Sequence, residues 1–109
     1  MLNNEGKENI EAIRVAIEKI WGGKCQIVEI KVNNAPFCMF DMKIKINNRF
    51  EVLLSYDRSI MGIYIKKSGE YINIRKLTDQ EIIGGFNSCS PLSLIHNFTI
   101  LNEMLNSMV

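Results

Sequence analysis

The stretch from Cys38 to Lys76, CMFDMKIKINNRFEVLLSYDRSIMGIYIKKSGEYINIRK, alternates apolar and polar residues in the runs 38–46, 50–56, 60–67 and 70–76. A period of two marks strands with one face buried and one face wet. The links are Asn47-Asn48, Asp57-Arg58-Ser59 and Ser68-Gly69. All are rich in turn residues and far too short for a parallel crossover, so successive strands run antiparallel. Working back, Cys25 to Val32 is a further strand run, followed by the turn residues Asn33-Asn34-Ala35-Pro36. The reading is a five-stranded antiparallel meander.

Partners across a ladder share a face, so register can be tested against burial. With Val28, Ile30 and Val32 inward, the matching inward sets are Cys38, Phe40, Met42, Ile44 and Ile46; Phe50, Val52, Leu54 and Tyr56; Met61, Ile63 and Ile65; and Ile72 and Ile74. A two-residue loop at Asn47-Asn48 would pair Ile44 with Glu51 and mix the faces. Adding Arg49 to the loop pairs Ile46 with Phe50 and Ile44 with Val52, with Asn48 or Arg49 in the left-handed region. The Ser68-Gly69 turn pairs Lys67 with Glu70 and Ile65 with Ile72.

Outside the sheet the period becomes helical. Ile10, Ile13, Ile17 and Ile20, with Ala16 and Trp21, give an amphipathic helix over 5–21, stopped by Gly22-Gly23. Its acidic residues, Glu5, Glu8, Glu11 and Glu18, face water. After the sheet, Thr78 is expected to cap a short helix over 79–83, ended by Gly84-Gly85. Ser90 and Pro91 open a last helix with a stripe of Leu94, Phe98, Leu101, Leu105 and Met108. The order α-β-β-β-β-β-α-α, with the helices at both chain ends on one sheet face, is the α+β class, a single domain over 1–109.

Composition narrows the function. The 109 residues are 47% hydrophobic and 23% charged, with a net charge of +1. A binder that relies on neutralising phosphates needs a basic excess, which is missing. The start of the chain has no basic segment followed by an apolar run, so no signal peptide is read, and a cytoplasmic location without membrane contact is expected. Three cysteines, Cys25, Cys38 and Cys89, have no metal or redox spacing and are expected to be reduced structural thiols. His96, the sole histidine, has no nucleophile at a readable distance and is expected at a helix edge. Gly84-Gly85 lacks the strand before it and the Lys-Ser/Thr after it that a phosphate loop needs. The reading is non-catalytic, with no cofactor and no metal.

The outward face of the sheet carries the candidate site. The register above places Ile27, Lys43, Leu53, Tyr64 and Asn73 in one row. It places Glu29, Asp41, Ser55, Gly62 and Arg75 in a second, and Lys45, Glu51, Lys66 and Tyr71 in a third. Glu29 and Asp41 then stand opposite each other as like charges that an arriving cation would relieve. Tyr64 and Tyr71 are the aromatic anchors, and Arg75 lies at the far edge.

The Ile10–Ile20 helix, the Cys25–Lys76 meander and the Ser90–Met108 helix together resemble the immunity proteins of bacterial contact-dependent growth inhibition and polymorphic toxin systems. The abundance of Ile, Asn and Lys, residues of AT-rich codons, agrees with a bacterial gene. The resemblance lies in architecture and composition; no motif carries it, and the near-neutral charge departs from the acidic character of many nuclease inhibitors. It implies a module that binds one cognate toxin domain, for instance a nuclease, and covers its active region. Two other classes fit the same outline. One is a secretion chaperone or adaptor; the other binds a small hydrophobic ligand between sheet and helices.

Overall fold

Alternation becomes a sheet because each strand of this chain has one side that must leave water. The computed structural model describes residues 4–33, 39–57 and 60–108. Helix α1 spans Asn4–Trp21 and is followed by a short 3-10 turn, Gly22–Lys24. The strands are β1 (Cys25–Asn33), β2 (Met39–Ile46), β3 (Phe50–Asp57), β4 (Ile60–Lys67) and β5 (Glu70–Asn73). Two further 3-10 turns, Ile74–Lys76 and Gly85–Asn87, precede helix α2, Pro91–Ser107. The strand order is β1-β2-β3-β4-β5, all antiparallel. The expected connections at 34–38 and 58–59, and with them Cys38, lie outside the described residues.

The central ladders follow the burial argument. Ile44 lies opposite Val52 and Ile46 opposite Phe50, while Leu54 lies opposite Ile63 and Ile65 opposite Ile72. Arg49 N–H donates to the Ile46 carbonyl at 3.1 Å, and both Asn47 and Asn48 have φ of 55°. Asparagine tolerates that left-handed geometry better than most residues. Arg49 is then the extra residue that brings Phe50, not Arg49, opposite Ile46. At the other hairpin, Ser68 and Gly69 have φ of 54° and 82°, the signs a two-residue primed turn demands.

Strand β1 departs from the expectation. Its pairing is Ile27 with Ile44 and then Glu29 with Lys43, so one residue, Val28, is inserted as a β-bulge. Val28 is 64% exposed rather than inward. Before the bulge Cys25 and Ile27 share rows with the buried Ile46 and Ile44; after it Ile30 and Val32 share rows with Met42 and Phe40. A continuous ladder would have turned one half of the strand's apolar residues toward water. The inserted residue keeps both halves on the core side.

Both helices cover that side. Ile10, Ile13, Ala16, Ile17 and Trp21 from α1 and Leu94, Phe98, Leu101 and Leu105 from α2 join the inward strand residues in one apolar core. The Trp21 and Phe98 rings sit 5.4 Å apart, and the indole N–H of Trp21 donates to Asn102 Oδ1 at 2.9 Å, so the aromatic contact leaves no polar atom stranded. Phe40 and Tyr56 stack across β2 and β3 at 4.8 Å, and Tyr56 Oη accepts from Asn9 Nδ2 at 2.8 Å.

The segment between sheet and α2 forms no helix over 79–83. Its backbone is satisfied otherwise. Asn73 Oδ1 accepts from Arg75 N–H at 2.9 Å, a side-chain turn that ends β5 at Asn73 although the alternation runs on to residue 76. Thr78 Oγ1 accepts from Gln80 N–H at 3.1 Å, so the expected cap closes only a turn. Asn97, 1% exposed on α2, accepts from Ile83 N–H at 2.8 Å and donates to the Ile83 carbonyl at 2.9 Å. Bound by that side chain, Ile83 contributes nothing to a helical ladder. Ser88 Oγ accepts from Met61 N–H at 2.8 Å, covering the part of β4 that the short β5 does not reach.

Three stability outcomes follow. Ile44→Ala or Phe98→Ala empties a site with no more than 1% exposure and is expected to cost about 2–5 kcal/mol in chemical denaturation. Deleting Val28 removes the inserted residue and leaves both halves of β1 in register, so it is expected to cost less than Ile44→Ala. Deleting Ile30 instead turns Lys31 inward and is expected to abolish cooperative unfolding.

Candidate functional site

The outward sheet face is the surface that the helices leave open. The bulge resets its outermost column. Its rows are Glu29, Lys43, Leu53, Tyr64 and Asn73; Lys31, Asp41, Ser55 and Gly62; and Gln26, Lys45, Glu51, Lys66 and Tyr71. The third row matches the sequence reading. In the first two, Glu29 has moved one row and Lys31 has taken its place.

This overturns the expected carboxylate pair. Glu29 does not face Asp41; it faces Lys43, and Asp41 faces Lys31. The Glu29 carboxylate stands 3.7 Å from Lys43 Nζ and 3.8 Å from Lys31 Nζ. Asp41 Oδ1 accepts from Ser55 Oγ at 2.8 Å. Opposite charges meet across β1 and β2, where the register read from the sequence would have set like charges side by side. Each exposed pair adds little to stability, but together they fix where charge sits on the face.

The aromatic residues are held by neighbours on the same face. Tyr64 lays its ring over Gly62, so that a Cβ there would meet the ring at 2.9 Å. Glycine makes room for the tyrosine, and the ring shields the exposed β4 backbone. Tyr71 lies 5.9 Å from Lys66 Nζ, and Lys66 in turn pairs with Glu51 at 3.1 Å. The hydrogen bond and charge of Glu51 raise the Lys66 pKa above its ordinary value. A depression of about 240 Å³ is lined by Val28, Glu29, Lys43, Glu51, Lys66 and Tyr71. Of the five expected residues, Glu29 and Tyr71 therefore share one hollow, Tyr64 lies further along the row of Glu29 and Lys43, and Asp41 lies in the next row.

Arg75 is the exception. It belongs to the 3-10 turn after β5 and is not in the Gly62 row. Its guanidinium lies against Gly84, where a Cβ would collide with it. The turn bound by Asn73 removes it from the sheet face.

His96 is exposed on α2, and its Nε2 lies 2.8 Å from the Glu81 carbonyl, helping to hold the 77–84 segment. Cys89 is buried. Burial pushes the Cys25 thiol up from 9.0 to about 11, so it stays protonated well into the alkaline range. Among the described residues, no three His, Cys, Asp or Glu side chains come together as metal ligands would, and no helix is long and apolar enough to cross a membrane.

Sequence reasoning set Glu8 and Glu11 on the wet side of the first helix but missed the groove beside them. Ala12, Val15 and Ala16 of α1 and Pro91 and Ile95 of α2 line a groove of about 340 Å³ on the helical side, with Glu8, Glu11 and Lys19 at its rim. It lies between the two helices. The space between helices and sheet is lined by the side chains of the apolar core. The signal was Val15, an apolar residue on the polar side of α1 that is 45% exposed.

No protein-family model, curated protein or solved structure matches the chain.

The Cys25 thiol supplies a pH test. Its pKa is higher in the folded chain than the ordinary 9.0, so folding holds the proton more tightly. The associated stability is intact below pH 9 and is lost as pH rises through about 11. Cys25→Ser is expected to flatten the fall in stability over that window when both proteins are titrated by denaturant at stepped pH. Equal slopes would contradict a thiol held protonated by burial.

Proposed function

We propose that the chain is a non-catalytic protein-binding module of the immunity type, which neutralises a cognate toxin domain by seating its outward sheet face over the toxin's active region. The observation that supports this reading is the ordered charge and aromatic array on that face. Glu29, Lys31, Asp41, Lys43, Glu51 and Lys66 alternate in sign across the strands, with Leu53, Tyr64 and Tyr71 among them. A sheet backbone fixes these groups in relative position before any partner arrives, which lowers the ordering cost of binding.

The mode of recognition differs from relief of repelling carboxylates. Glu29 already has Lys43 and Lys31 as neighbours, and Asp41 has Ser55 and, across the ladder, Lys31. An incoming Arg or Lys must take the place of the chain's own lysines. Such an exchange rewards a partner whose cations match the spacing of the carboxylates and penalises one whose cations fall on Lys31 or Lys43. The face therefore contributes specificity and register, and Tyr64, Tyr71 and Leu53 contribute most of the affinity.

The test is binding of the toxin domain encoded beside this gene, together with protection of cells that express it. Tyr64→Ala is expected to weaken binding by about 2 kcal/mol, and Asp41→Lys to weaken it and abolish protection. Thermal unfolding of each variant separates this from lost stability, since the Tyr64 ring also covers Gly62. Wild-type binding by both folded variants would move the site to the groove between α1 and α2. A gene neighbourhood without a toxin gene would end the immunity reading.

A further inference from the structure

The two edges of the sheet are treated differently. At the β5 edge, the strand is only 4 residues long, and Ser88 accepts the Met61 N–H of β4 beyond its reach. That edge is short and covered, as edges that avoid pairing are. At the other edge, β1 is 9 residues long and has β2 as its only strand neighbour among the described residues. Its outer row of backbone N–H and C=O groups is a template for another strand.

We infer that the Glu29–Lys31 segment of β1 pairs antiparallel with the same segment of a second copy of this chain, joining two sheets into one across a two-fold axis at Ile30. The sequence of the edge selects this register. Centring the axis on Ile30 sets Glu29 opposite the partner's Lys31 and Lys31 opposite the partner's Glu29. Moving the centre to Glu29 sets two glutamates together, and moving it to Lys31 sets two lysines together, both unfavourable. Registers between these mix the faces and set charges against Ile30. The self-complementary charge order thus fits a second copy of the same strand.

The core side of the edge agrees. Val32, in the row of Phe40, is 40% exposed there. Ile30 itself is half-buried, and the core-side flank of β1 is left only partly covered at its outer margin. The bulge contributes here too. By keeping Ile27 and Ile30 both on the core side it leaves Glu29 and Lys31 on the outward face, 3.8 Å apart, where the partner's Lys31 and Glu29 exchange with this pair. This pairing uses the edge of the sheet and does not rest on the toxin reading; Tyr64→Ala, which tests that reading, leaves the edge charges unaltered.

Sedimentation equilibrium over a range of concentrations tests the inference. The wild type is expected to form a dimer whose population rises with concentration. Lys31→Glu and Glu29→Lys each create a like-charged edge, and each is expected to weaken self-association by about tenfold or more. Mixed in equal amounts, the two variants are expected to form a heterodimer, because glutamates at 29 and 31 then face lysines at both positions. A wild type that stays monomeric throughout, variants that dimerise like the wild type, or a mixture that remains monomeric would each overturn the proposal. Circular dichroism establishes that each variant is folded. If Glu29→Lys is not, hydrogen exchange on the wild type decides. Amides within residues 29–31 are expected to gain protection as concentration rises, and concentration-independent exchange there would refute the pairing.

Discussion

The whole molecule depends on one side of one sheet being dry. The three central strands, β2 to β4, present Phe40, Met42, Ile44, Ile46, Val52, Leu54, Tyr56, Met61, Ile63 and Ile65 to the same side, and two helices from opposite ends of the chain close over them. Ladder partners share a face, so this burial fixes the register of β2, β3 and β4. The turn chemistry then follows the register. Arg49 is added to the Asn47-Asn48 loop because only that count keeps Phe50 opposite Ile46.

The same constraint explains the bulge. The apolar positions Cys25, Ile27, Ile30 and Val32 do not keep a strict period of two, because the spacing from Ile27 to Ile30 is odd. The strand satisfies both halves by inserting Val28, which then stands largely in water. Its consequence on the opposite face is electrostatic. Without the insertion, the ladder that starts from Ile27 and Ile44 would set Glu29 opposite Met42 and Ile30 opposite Asp41; with it, Glu29 faces Lys43 and Lys31 faces Asp41 on the open side. A small irregularity required by core burial therefore sets the charge pattern offered to any partner.

Much of the architecture was legible from alternation, spacing and turn residues: the meander, its order, three of its four ladders, and the two long helices. The bulge was legible in principle from the adjacent apolar pair Ile27-Val28 and the polar spacing Gln26, Glu29, Lys31, but a continuous alternation through Val28, Ile30 and Val32 concealed it. The absent helix over 79–83 was not legible, because its competitor is remote in sequence: the Asn97 side chain binds Ile83 from α2. The displacement of Arg75 has a local cause, the Asn73 side-chain turn, but Asn73 reads equally well as an outward strand residue. Tyr64, inside the β3–β4 ladder, and Tyr71, next to the regular Ser68-Gly69 turn, stayed where alternation put them; those beside an irregularity, Glu29 and Arg75, did not.

The most direct test is the register of β1 against β2, measured by cross-strand proton–proton contacts in solution NMR. With Val28 inserted, Glu29 shows contacts to Lys43 and Lys31 to Asp41, while Ile27 stays opposite Ile44. Contacts from Glu29 to Asp41, with no irregularity at Val28, would contradict the account, since the core-side burial of β1 and the alternating charge of the open face rest on that single inserted residue.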